Sequence, residues 1–159
     1  MSKVVFAGTF DPFTTGHYDI VKRASNAFDY VIVAVAGSGT EKKCIASCAQ
    51  RKEIAQKSVC DIPNVSVESF DGLLTDWAKI KGVKTFVRGV RNSVDFEYEK
   101  RLYAIYKALD PSIEVVYFSA DEKTSFISST FVKELIGLKG NADEYICSKA
   151  KDLVKDIYK

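Results

Sequence analysis

Ten residues near the start, Gly8-Thr9-Phe10-Asp11-Pro12-Phe13-Thr14-Thr15-Gly16-His17, combine glycines, hydroxyls and the chain's one histidine. Glycine lets backbone approach a ligand closely, and hydroxyls can donate to phosphate oxygens. A helix start adds unpaired N–H groups and a dipole that favours an anion. His17, at or near such a start, is placed to meet one. Asp11 is as well suited to bracing its loop as to chemistry. Further along, Glu41-Lys42-Lys43 offers ammonium groups, and Arg88-Gly89-Val90-Arg91 sets two guanidiniums around a glycine. Arginine's planar fork matches phosphate oxygens in pairs. Thr124-Ser125-Phe126-Ile127-Ser128-Ser129-Thr130 supplies a second helix start rich in hydroxyls. These stretches describe a polyphosphate site, with a nucleoside triphosphate as the expected ligand. Two commoner phosphate motifs are missing. No G-x4-G-K-[ST] loop occurs, and Gly37-Ser38-Gly39 lacks the third glycine of G-x-G-x-x-G.

The stretches can cooperate only if the fold gathers them. Short runs rich in Val, Ile, Phe and Tyr predict strands over Lys3–Ala7, Tyr30–Ala36, Asn64–Phe70, Val83–Arg88 and Ile113–Phe118. Tyr30–Ala36 is apolar throughout, which suits a strand covered on both faces. Helical spacing predicts helices over His17–Phe28, Gln50–Cys60, Leu73–Lys81, Val94–Leu109, Thr130–Leu138 and Asp143–Tyr158. Gly82 is a natural stop for the third, Asp110-Pro111 ends the fourth, and Ser128-Ser129-Thr130 caps the fifth. Strands alternating with helices imply right-handed crossovers. The expectation is one α/β domain over residues 1–159: a Rossmann-like, doubly wound, five-stranded parallel sheet with helices on both faces. Such sheets bind ligands at the carboxyl ends of their strands, where the phosphate-ready stretches lie.

Composition sets limits. The 159 residues are 47% hydrophobic and 28% charged with a net charge of +2. That balance fits a folded globule and gives no basic stripe for a nucleic-acid footprint. The longest apolar run, Tyr30–Ala36, falls far short of the ~20 residues a membrane span needs. With no signal-peptide pattern at the start, a cytoplasmic protein is expected, without a membrane partner. Cys44, Cys48, Cys60 and Cys147 then read as reduced thiols. A single histidine leaves no Cys-His zinc cluster to assemble, so no protein metal site is expected.

The residues also carry a resemblance. Gly8-Thr9-Phe10-Asp11-Pro12 leading to Thr14-Thr15-Gly16-His17 resembles the T/H-x-G-H signature of the nucleotidylyltransferases. Ile127-Ser128-Ser129-Thr130 with Val132-Lys133-Glu134 resembles their second signature, I-S-S-T. Arg88-Gly89-Val90-Arg91, Asp95-Phe96-Glu97-Tyr98-Glu99 and Phe70-Asp71-Gly72-Leu73-Leu74 look narrower still, like the bacterial phosphopantetheine adenylyltransferase family. The likeness runs over essentially the whole chain. It departs in the loop Cys44–Gln50, at Ala7 where many relatives carry Pro, and at Thr124 where an aromatic is common.

The resemblance implies transfer of AMP from ATP to 4′-phosphopantetheine, giving dephospho-coenzyme A and pyrophosphate, the penultimate step of coenzyme A synthesis. It implies that Thr9, Lys42, Leu74 and Arg88 hold phosphopantetheine. It implies that Thr9, Phe10, His17, Gly89, Val90, Arg91, Glu99, Thr124, Ser125, Phe126, Ile127, Ser128, Ser129 and Thr130 hold ATP. Mg²⁺, a hexameric assembly and inhibition by coenzyme A follow from it too. His17, Lys42 and Arg91 are the expected catalytic residues. A phosphate monoester has a second pKa of ~6 and is already largely ionised near neutrality. Direct in-line displacement without a strong base or a covalent intermediate is therefore expected, with Mg²⁺ carried by ATP oxygens. The nearest alternative is a sibling enzyme acting on another phosphate, such as nicotinamide mononucleotide. A non-catalytic nucleotide sensor or single-strand binder is the rival of another class. Its aromatics, Tyr98, Tyr103 and Tyr106, are spaced as a helix face packs.

Overall fold

The computed structural model describes residues 1–37 and 43–159. Five strands form one parallel sheet: β1 (Lys3–Gly8), β2 (Tyr30–Ala36), β3 (Val65–Phe70), β4 (Thr85–Val90) and β5 (Glu114–Ser119). Their order is β3-β2-β1-β4-β5. The helices are α1 (Thr15–Ala27), α2 (Cys48–Val59), α3 (Leu74–Ile80), α4 (Ser93–Leu109), α5 (Ser129–Gly137) and α6 (Lys151–Ile157).

Period-two alternation on the strands builds two cores. Val4, Phe6, Val33, Val35 and Val87 face one side, where Ile20 and Val21 of α1, Ile54 of α2, Val132 of α5 and Val154 of α6 pack on them. Val5, Ala7, Ile32, Ala34 and Phe86 face the other, against Ala78 of α3 and Tyr106 of α4. A doubly wound sheet with helices on both faces results, as expected. Successive strands spread outward from β1 in one direction and from β4 in the other. The crevice between their carboxyl ends is the topological switch point, where such sheets bind ligands.

Most elements begin or end one or two residues from the expected bounds, and two depart for clear reasons. Strand β4 was expected over Val83–Arg88, yet it starts at Thr85. Val83 instead closes α3: its N–H donates to the Ala78 carbonyl at 2.9 Å and that of Gly82 (φ +67°) to Lys79 at 3.1 Å. This Schellman turn consumes a residue that composition assigns to a strand. The single helix expected over Asp143–Tyr158 is broken into two 3₁₀ turns, Asp143–Tyr145 and Ser148–Ala150, ahead of α6. Ile146 and Ala150 are buried as their spacing asks, but Ile146 is extended and Cys147 is not helical. The weak helix propensity of Cys147-Ser148 agrees with the break, and the two turns still bring Ile146 and Ala150 into the core.

Candidate active site

The loop after β1 enters α1 through a capping box. Thr14 is the N-cap, its hydroxyl accepting the His17 N–H at 3.4 Å, and its own N–H donates to His17 Nδ1 at 3.0 Å. A glutamate or glutamine usually fills this reciprocal position; here the histidine does. With Nδ1 accepting a backbone N–H, the ring proton sits on Nε2 as the remaining donor. The rings of Phe10, Phe13 and Phe6 lie 5.1, 5.3 and 6.2 Å from the imidazole. Burial among them, then the positive charges of Arg91 and Arg88, push the His17 pKa down to about 3. His17 is a neutral donor, unable to serve as a proton-accepting base without losing its fixed tautomer.

Strand β4 delivers the arginines. Alternation sends Arg88 to the α4 side and Gly89 to the α1 side, where a Cβ would come within 3.2 Å of Ile20. Arg88 grips Glu99 of α4 with Nε and Nη2, both at 2.8 Å, and its Nη1 donates to the Ala7 carbonyl at 2.6 Å. Burial opposes the Arg88 charge, but the hydrogen bonds and charge of Glu99 outweigh it and raise its pKa. Three of the five guanidinium N–H groups are spent, leaving two for a ligand. Arg91 is held by Asp95 one helical turn on, at 2.8 Å. After β5, Ser128 caps α5 by accepting the Phe131 N–H at 3.0 Å. Ser129 Oγ donates to the Pro12 carbonyl at 2.8 Å, tying the second helix start to the first.

These groups line one cavity of about 640 Å³. Of the residues expected at the site, Thr9, Phe10, His17, Arg88, Gly89, Arg91, Glu99, Thr124, Ile127, Ser128, Ser129 and Thr130 line it. Four do not. Val90 ends β4, Ser125 turns back to the Glu122 carbonyl, and Phe126 packs on Phe131 and Tyr145. Leu74 opens α3 and packs into the second core cluster near Phe70 and Trp77. Lys42 lies outside the described residues.

Sequence reading counted the cations and missed their partners. Asp95 and Glu99 neutralise Arg91 and Arg88, and Lys133, also lining the cavity, pairs with Asp11 at 3.2 Å. Asp11, 3% exposed, also accepts the N–H groups of Ile45 and Ala46 and the Tyr158 hydroxyl. Burial would raise its pKa, but these donors hold it below the ordinary carboxylate value. Asp11 therefore braces its loop. The Arg91–Asp95 spacing of four residues was the one legible sign of a pair. Beside these paired cations, the helix starts of α1 and α5 add backbone N–H groups and a dipole that favour an anion.

Comparison with known proteins gives the family. The cytidylyltransferase-like family model matches residues 5–135, which include both helix starts and the arginine stretch. A phosphopantetheine adenylyltransferase from Acidovorax ebreus is 43% identical over 142 residues, covering 89% of this chain and 86% of that protein. One from Tolumonas auensis is 39% identical over 153 residues, 96% and 93% of the two chains. A solved structure from Vibrio parahaemolyticus, provisionally assigned as a nicotinate-nucleotide adenylyltransferase, has a TM-score of 0.73. It covers 99% of this chain and 96% of its own at 17% identity, a likeness of fold. With a family model spanning both signatures and such identity along nearly its whole length, the chain belongs to the cytidylyltransferase-like nucleotidyltransferases, among the phosphopantetheine adenylyltransferases.

Proposed function

We propose that this chain transfers the adenylyl group of ATP to 4′-phosphopantetheine. A phosphate oxygen of the acceptor attacks the α-phosphorus of ATP. The bond from that phosphorus to the bridging oxygen breaks, and its electron pair leaves with pyrophosphate; dephospho-coenzyme A is the other product. The carrying observation is the cavity at the switch point, where neutral His17 shares space with Arg88, Arg91 and the start of α5. The acceptor oxygen is already ionised, so the chain has no proton to remove. Its work is to align two anions and offset their repulsion. Orientation of that kind can supply ~7–11 kcal/mol. His17 Nε2–H donates to a phosphate oxygen as charge builds there. Arg88 and Lys42 take the acceptor side, and Arg91 and the α5 start take the triphosphate.

Mg²⁺ enters with ATP, as substrate. Asp11, Asp95 and Glu99 line the cavity, but each is engaged by a cation. Among the described residues no cluster of three or more metal-binding side chains occurs. That donor set suits an ion borne mainly by substrate phosphates. A homohexamer fits the exposed apolar face of α4. Coenzyme A, which carries both halves of the product, is the expected inhibitor. No helix among the described residues is long and apolar enough to cross a membrane, and a cytoplasmic location fits the reaction's soluble reactants. The test is pyrophosphate release with ATP, Mg²⁺ and 4′-phosphopantetheine, with dephospho-coenzyme A identified by mass. Faster turnover with nicotinamide mononucleotide would reassign the acceptor.

A further inference from the structure

Lys43 and Cys44 form part of the cavity wall, and the groups that hold this wall lie behind it. The N–H groups of Ile45 and Ala46 donate to Asp11 Oδ2 and Oδ1 at 3.0 and 3.1 Å. Arg51, 3% exposed, bonds the carbonyls of Ala46 (3.2 Å), Ala36 (2.8 Å) and Thr9 (2.6 Å). One buried guanidinium thus joins the end of β2 and the residue Ala46 to the first phosphate loop. Asp11 receives one more donor from far along the chain. The hydroxyl of Tyr158, a 4% exposed residue just beyond α6, donates to Oδ1 at 2.5 Å.

The two carboxylate oxygens divide the work. Oδ2 takes Ile45 and the Lys133 ammonium; Oδ1 takes Ala46 and Tyr158. Without the phenol, Oδ1 keeps a single N–H while the Lys133 charge pulls on the other oxygen. The carboxylate is then free to turn toward Lys133 and away from Ala46. The ring itself belongs to the apolar core cluster, so its packing and its hydroxyl can be separated by substitution. Burial and the Asp11 charge push the phenol's pKa far up, so it stays a donor.

We propose that Tyr158 is a positioning residue for the transfer: through Asp11 it fixes the 43–46 segment, and so the wall that meets the acceptor phosphate. The proposal rests on the acceptor assignment made under Proposed function. Tyr158→Phe keeps the ring and removes the donor. In Y158F, amide hydrogen exchange in peptides spanning residues 43–46 speeds up, and the KM for phosphopantetheine rises about threefold to tenfold, the scale of one weakened buried bond. The kcat and the KM for ATP stay within about twofold, since a wall shift leaves the triphosphate contacts in place. Val154→Ala, in the same core cluster but with a side chain that gives Asp11 no hydrogen bond, lowers the Tm and leaves exchange at 43–46 and the acceptor KM unchanged. Unchanged exchange in Y158F, an unchanged acceptor KM, or an equal KM rise in V154A would each overturn the proposal. If the wild-type chain fails to adenylylate phosphopantetheine, that sinks the functional reading; the latch then stands or falls on exchange alone.

Discussion

At the residue scale the decisive feature is which nitrogen of His17 is occupied. Thr14 takes Nδ1, and three phenylalanines surround the ring. The group left over is an N–H donor that stays neutral above about pH 3. His17→Ala should cut kcat by roughly 10²–10³, the loss for one transition-state donor, while circular dichroism reports an unchanged fold; near-normal kcat in the purified variant would remove His17 from the mechanism. The pH profile separates donor from base. The kcat/KM for phosphopantetheine should fall below about pH 6, where the acceptor phosphate takes its second proton. His17→Gln, which keeps an N–H, should retain that acid limb at the same pH. A limb that disappears in the variant would assign it to the imidazole. Stability carries a second signature. The unfolded imidazole titrates near 6.5 and the folded one near 3, so wild-type stability is complete above 6.5 and is lost as the pH falls toward 3. Urea midpoints of H17Q should fall less steeply over that window.

At the element scale, β4 and α4 act as a unit because Arg88 bridges them. The Arg88–Glu99 pair is only 19% and 9% exposed, so removing one partner strands a buried charge. Arg88→Ala should destabilise the fold by about 3–5 kcal/mol and raise the acceptor KM. The double variant R88A/E99Q should recover part of the stability in urea unfolding, with the KM still high. Recovery of both would mean that Arg88 serves the fold alone. This coupling explains what the sequence could and could not tell. The arginines were legible because an apolar strand runs straight into them, and the glycine between them because a turn or close approach is the usual reason for one. Gly89 does lie against Ile20, as strand alternation dictates. Glu99 was named from the resemblance as an ATP contact, yet no local pattern shows a carboxylate eleven residues on returning to Arg88. The central strands and α1 were legible because their periodicity and their burial agree, whereas α4 was legible by spacing alone, its apolar stripe lying largely exposed. The tail after Asn141 was misread because its apolar spacing is helical while its backbone turns twice to reach the core. Asp11 and Tyr158, 147 residues apart, meet only in the tertiary fold.

At the scale of the whole molecule, α4 has two jobs. Its inward side presents Glu99, the one residue of its seventeen that is buried. A stripe along the helix leaves Val94 and Tyr98, at the cavity's edge, and Ile105 and Leu109 beyond it between 52% and 77% exposed. Beside it, β5 is an edge strand of the sheet. Four large apolar side chains on one helix make a patch that soluble monomers seldom leave open, and self-association through a repeated, symmetric contact would cover it. Ile105→Glu puts a charge into the middle of that contact, where it would have to be buried unpaired. Sedimentation velocity should therefore show a larger assembly for the wild type and smaller species for I105E. His17, Arg91 and the α5 start all lie on this chain and line one cavity, so ATP binding by the dissociated variant should persist. The acceptor side should weaken, because Glu99, which aims Arg88, sits on the helix that loses its cover. Equal sedimentation of the two proteins would show that α4 faces solvent, and that the helix serves Arg88 alone.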